Sequence, residues 1–267
     1  MGTIVGHDAY LAELEPQRVS LLSGIPGFRH ETVWWDVMHI VHLGIAADLV
    51  GSALVELSLS GSYGVGDLDE RLKRAFLKFQ SWCRCNGVPN SCEPFSRASL
   101  AYRSSKQYPQ LQAKAYNTKV VLFFTAAECL AAAVGAGSYE QQRATAVWGL
   151  ASRLHLMGTA DIIMTATEAE AACRAGHSYL VCYSNLARLC LHQRRCAYKV
   201  RPKMHYFQHM LLEMRATRIN PRAVYCMHDE DFMGKISKIA AKVHRSTVAK
   251  MTLFRYRLLL CQRWGLR

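Results

Sequence analysis

Acidic residues are scarce in this chain. Its 267 residues carry 20 Asp+Glu against 33 Lys+Arg, a formal net charge of +13. It also lacks an uninterrupted apolar run of the roughly 18 residues that a membrane span requires. Asp48 and Glu56 cut one candidate, and Lys119 and Glu128 bound another, so no membrane association is expected. The opening stretch, MGTIVGHDAYLAELE, has no basic region followed by an apolar block, which argues against a secretory signal and for a protein that stays inside the cell. There is no repeat period and no low-complexity tract. What is present is 51% apolar material, too much for a disordered tail and enough for one or two domains with a core.

Ten cysteines in a reducing compartment read as small buried hydrophobes, since most fall in helix-like apolar stripes. Cys83, Cys85 and Cys92 are the exception, a spacing that could hold a metal but matches no standard zinc knuckle. The basic excess is concentrated toward the end of the chain, from RRCAYKVRPK at 194–203 through Arg267. A basic flank of that length is the footprint of a polyanion partner, most simply nucleic acid, or else a solvated helix face.

Nearly every long segment has helical period. Residues 40–59 are apolar around most of the circumference and predict a largely buried helix. Asp67 and Glu70 form a capping-box-like start for a helix that carries Leu68, Leu72, Phe76 and Phe79 on one stripe and stops at Asn86-Gly87. Residues 87–108 predict a loop. Helical pattern resumes after Pro109 and ends at Gly135, and Ser138 caps a further helix to Met157-Gly158. Another helix starts near Thr165 or Thr167 and runs to about Arg195. Pro202 opens the next, which Asn220-Pro221 closes, and a final long basic helix starts near Asp229. The expected fold class is mainly α, with short strands near 33–37 and 223–227.

Three polar constellations interrupt the pattern. Asp36 and His39 place an acid and an imidazole three apart. His205 and His209 place two imidazoles at i and i+4, the spacing by which one helical face offers two metal ligands. Met227-His228-Asp229-Glu230-Asp231 is an acidic cluster in basic surroundings. In this order they resemble the blocks of CACTA/En-Spm-type transposases, which are DDE enzymes with an RNase H-like core. Asp36-Val37-Met38-His39 followed by Leu43-Gly44 is similar to that family's D-x-M-H-x-x-x-L-G block. Lys203-Met204-His205 with His209 resembles its K-x-H…H block. The run from Tyr225 to Lys235 resembles its last block, in which an acid four residues before a glycine is the third catalytic carboxylate; here that acid is Glu230.

The resemblance implies a division into residues 1–33, an N-terminal segment or remnant of the core, 34–200, a helical insertion domain, and 201–267, basic C-terminal helices bearing the final acidic motif. It implies two-magnesium DNA strand cleavage and transfer in the ancestor, which needs a cage of at least three carboxylates. Glu230 supplies one, and no strand-borne Asp is evident before Trp34, so this chain alone is expected not to cut DNA. By likeness to recombinases of the V(D)J type, Asp36, His39, His205 and His209 would hold a structural zinc. The alternative is a buried Asp36–His39 hydrogen-bonded pair with His205 and His209 lining a polar cleft and no ion. Arg201, Lys203, Lys235, Lys238, Lys242 and Arg245 are the candidate contacts to the DNA backbone, made without reading sequence. The resulting expectation is a nuclear, transposase-derived DNA-binding fragment, with homo-oligomerisation open. A helical scaffold or a module contacting protein or RNA, with no catalytic ancestry, is the competing reading.

Overall fold

The computed structural model describes residues 7–13, 19–29 and 33–265, apart from the side chains of His7, Tyr10 and residues 228–231. The chain forms two compact units, one ending at Val224 and one from Tyr225 onward. The first contains α1 (His7–Ala12), a π-helical segment Met38–Ile45 continuous with α2 (Ala46–Leu59), α3 (Leu68–Cys85), α4 (Ala115–Ala133), α5 (Ser138–Thr159), α6 (Ala166–His192) and α7 (Pro202–Thr217). The second contains α8 (Met227–Ala240) and α9 (Val248–Trp264). The chain is mainly helical, and no strand occurs among the described residues.

Capping chemistry sets several of these boundaries. Asp67 and Glu70 make a reciprocal capping box at α3, and Thr165 with Glu168 makes another at α6. Pro202 opens α7 at a first-turn position, where its missing N–H costs nothing. At the other end of α7, Arg218 adopts a left-handed conformation, and buried Asn220 donates from Nδ2 to the carbonyls of Met157 (2.9 Å) and Asp161 (3.1 Å). Asn220 thereby ties the end of α7 to the α5–α6 connection.

The core lies where α2, α4, α5 and α6 meet. The Met38–Leu59 stretch is long and apolar enough to cross a membrane, yet 94% of its most apolar 18-residue window is buried within the fold. α3 lays Leu72, Phe76 and Phe79 inward, where Phe79 meets Phe95 and Phe124 at 5.5 and 5.4 Å between ring centres. Gly51 lets the chain near residue 110 cross α2 closely, because a Cβ there would sit 2.7 Å from the Gln110 nitrogen.

Four expectations change. Residues 33–36 have no regular hydrogen bonding and 221–224 form a 3-10 turn, so the strands expected near 33–37 and 223–227 are not formed. α4 begins at Ala115 rather than just after Pro109, because the backbone N–H groups of Gln110, Leu111 and Gln112 donate to Leu100, Ala47 and Ser99. Gly137, not Ser138, occupies the N-cap of α5. The final basic stretch is two helices separated at 241–247, where His244 accepts from the Ser246 N–H and caps a 3-10 turn, the local competition that His, Ser and Thr offer the helical ladder.

Two acids that the sequence offers only as interruptions of an apolar run organise the interior. On α2, Asp48, Ser52 and Glu56 recur every four residues and are all buried. Arg201 donates to both oxygens of Asp48 at 2.5 and 2.9 Å, and Ser52 accepts from the Tyr198 N–H at 3.0 Å. Glu56 accepts from Tyr139 (2.5 Å), Tyr198 (2.6 Å), Arg195 (3.0 Å) and Arg143 (3.3 Å). Burial pushes the Asp48 carboxyl above its ordinary range, and the hydrogen bonds and charge of Arg201 only partly offset it. Replacing Glu56 with Leu strands the buried Arg143 and the buried Tyr198 hydroxyl. The expected loss is about 3–5 kcal/mol of stability, read as a lower urea midpoint with unchanged slope.

Candidate functional site

The site is built from the π-helical segment and α7. Asp36 starts the first of these: its Oδ1 accepts from the Met38 N–H (3.1 Å) and its Oδ2 from the His39 N–H (3.0 Å). The same Oδ2 lies 2.5 Å from His39 Nδ1. Beyond it the chain winds one residue wider than an α-helix from Met38 to Ile45, with Gly44 at non-helical angles (φ −121°, ψ −106°). A Cβ on Gly44 would lie 2.7 Å from Lys203 Cδ, so the glycine gives the lysine stem its passage. Lys203 then donates from Nζ to the His39 carbonyl at 2.7 Å.

α7 presents His205 and His209 one turn apart, as helical spacing requires. Their Nε2 atoms face each other at 3.0 Å, and both residues are exposed. Trp35 stacks on Tyr206 (5.2 Å between ring centres, 18° between planes) and on His209 (5.9 Å, 21°). The blocks around residue 36 and residue 205 are therefore neighbours in space, joined by the Lys203 hydrogen bond and an aromatic stack. Sequence reasoning misses Trp35 and Tyr206 as site residues. Trp35 adjoins Asp36 and Tyr206 lies between the histidines, but neither has a motif of its own.

A closed zinc site asks for four donor atoms at about 2.0–2.2 Å from one centre. Asp36, His39, His205 and His209 do not meet that demand: their ligand atoms do not all lie within 4.8 Å of one another. Asp36 bonds His39 and His205 bonds His209, so the four side chains come near one another as two hydrogen-bonded pairs, with His39 exposed. Cys83 is buried while Cys85, two residues on, is exposed, so α3 turns those thiols to different environments.

Of the candidate DNA contacts, Arg201 is half-buried and pairs with both oxygens of Asp48. Lys203 is partly buried against the π-helical segment and bound to His39. Lys235, Lys238, Lys242 and Arg245 are all exposed in the second unit, but they do not form the single stripe expected of one helix. Lys235 and Lys238 are on α8, Lys242 follows its end, and Arg245 starts the 3-10 turn. Glu230 falls in the first turn of α8, and its side chain lies outside the described residues. No family model matches the chain, and neither a curated protein nor a solved structure matches it.

Beneath the site, His42 is fully buried on the π-helical segment, with Lys119, Arg153 and Asp36 near enough to act on its charge. Burial first, then Lys119, pushes its imidazole down to about 4, while Asp36 opposes them. The folded state thus refuses a proton that the unfolded chain accepts near its ordinary value. Stability is full above the unfolded value and declines as pH falls toward about 4. Substituting His42→Gln is expected to flatten the stability slope between roughly pH 6.5 and 4, measured by urea unfolding across that range. A slope identical to the native chain's would contradict this assignment.

Proposed function

We propose that this chain is a transposase-derived DNA-binding fragment, related to the RNase H-like DDE enzymes of the CACTA/En-Spm type, and that by itself it binds duplex DNA without cutting it. One observation carries the reading. Two motif blocks more than 160 residues apart, Asp36/His39 and Lys203/His205/His209, lie side by side, joined by the 2.7 Å Lys203–His39 hydrogen bond and the Trp35 stack. A chance likeness scattered along a helical scaffold carries no reason for that meeting.

The DNA contact is assigned to the second unit, where no acid follows Asp231 and nine bases do. Lys235, Lys238, Lys242 and Arg245 are its leading members, contacting phosphates and leaving base edges unread. The ancestral chemistry requires several carboxylates around two magnesium ions. In the first unit the candidates have other work: Asp48 and Glu56 hold arginines and Asp36 starts the π-helical segment. Glu230 is the residue assigned to the ancestral cage, with too few companions for catalysis.

Two measurements test this. Duplex binding is expected to weaken steeply with salt, and replacing Lys235, Lys238, Lys242 and Arg245 together with Gln to reduce the log–log salt slope by about three to four. Affinity that does not change between about 50 and 200 mM salt contradicts the backbone contact. In a magnesium or manganese nicking assay, the native chain and Glu230→Gln are both expected to be silent. Nicking that the substitution abolishes would reveal a complete carboxylate cage.

A further inference from the structure

We infer that Cys83 and Cys92 form a two-thiol site for a soft cation, copper(I), at the C-terminal end of α3, independent of the DNA contact. Both cysteines line one cavity of about 510 Å³, together with Gln80, Arg84 and Asn90. Cys83 is buried in the last turn of α3, and Cys92 is half-buried on the loop that follows. That loop is fixed on both sides of the cavity. The Val88 N–H donates to the Cys83 carbonyl (2.9 Å), and Ser91 exchanges two hydrogen bonds of 3.2 Å with the buried Asn117 of α4. Asn90 joins the two cysteines: its side chain is hydrogen-bonded to the Cys83 thiol, and its Oδ1 accepts from the Cys92 N–H at 3.3 Å. The thiols are near enough for the charge of one to act on the other.

The donors select the ion. Besides the two sulfurs, the cavity offers the Gln80 and Asn90 amides and the Arg84 guanidinium, and no carboxylate or imidazole among the described residues around it. Glu93, whose charge reaches Cys92, lines a different cavity. Cys85 adds no third sulfur, because it is exposed and lies outside the cavity lining. Magnesium and calcium require several oxygen ligands, and structural zinc requires four donors from Cys, His or carboxylate. Two sulfurs satisfy neither demand. Soft thiolates select copper(I), which two sulfurs in line suffice to hold. Binding replaces the thiol protons: Cu⁺ and two S–H groups give a bis-thiolate of net charge −1 and release two protons to solvent. Arg84, a permanent cation in the same lining, offsets that charge. A disulfide would instead bring the sulfurs to about 2 Å and make no use of the cavity.

The test is anaerobic titration of the reduced full chain with copper(I) in the presence of bathocuproine disulfonate, a coloured chelator that strips weakly held ion. The chain is expected to withhold one equivalent, whose X-ray absorption shows two sulfur neighbours. Cys83→Ser and Cys92→Ser should each lose that equivalent, whereas Cys85→Ser should keep it. Cys92 is only half-buried on a loop, so Cys92→Ser is expected to retain the native circular dichroism and urea midpoint, which separates loss of the site from loss of the fold. Failure of the native chain to withhold copper(I), an undiminished equivalent in Cys92→Ser, or zinc(II) held at Cys83 and Cys92 in preference to copper(I) would each overturn the assignment. So would a Cys83–Cys92 disulfide, found by peptide mass spectrometry, in place of the copper complex.

Discussion

The fold of the first unit depends on a polar seam along a helix that is otherwise apolar. Asp48, Ser52 and Glu56 project from one face of α2, and the segment 195–201 runs antiparallel along them: Arg201 to Asp48, the Tyr198 N–H to Ser52, and Arg195 with the Tyr198 hydroxyl to Glu56. Isolated buried carboxylates would be expensive, and here Asp48 is paired with the Arg201 guanidinium and Glu56 with two guanidinia and two tyrosine hydroxyls. Tyr198 is held at φ 54°, a conformation a tyrosine adopts only where its surroundings compel it. The seam compels it from both ends of the residue, through the backbone N–H and the phenolic oxygen.

Everything assigned to function in this unit depends on that clamp. Arg201 is the N-cap residue of α7, so fixing it on Asp48 fixes where α7 begins. Lys203, two residues on, then reaches the His39 carbonyl past Gly44, and His209 and Tyr206 come under Trp35. The π-helical winding of 38–45 belongs to the same device. It sends His39 outward to the site and His42 into the core within a single turn. Wider helical turns of this kind recur at functional positions, where a side chain must be re-aimed without ending the helix.

Helices marked by local chemistry are legible in the sequence. The boxes at Asp67/Glu70, the threonine start at 165 and the proline at 202 each satisfy orphan backbone groups through neighbouring residues, so the signal and its consequence lie within one turn. What is not legible depends on partners far along the chain. The extended run at 110–112 exists because Leu100, Ala47 and Ser99 accept its N–H groups, and no window around Pro109 contains that information. The break at 241–247 lacks Gly or Pro and rests on the weaker competition from His244 and Ser246. The site is half legible: the pairs Asp36/His39 and His205/His209 are marked by spacing, but spacing does not say that each pair bonds to itself. The charge of Arg201 is visible in the sequence, but its pairing with the distant Asp48 is not.

The most direct measurement is a double-mutant cycle on Asp48→Leu and Arg201→Met, read from urea unfolding. Arg201→Met should cost about 3–5 kcal/mol by leaving the buried Asp48 unpaired, Asp48→Leu less because Arg201 is only half-buried, and the double change should recover much of the loss, giving a coupling of about 2–3 kcal/mol. A coupling within about 0.5 kcal/mol of zero would mean that α7 is not anchored to α2 by this pair, and the meeting of the two motif blocks would lose its physical cause.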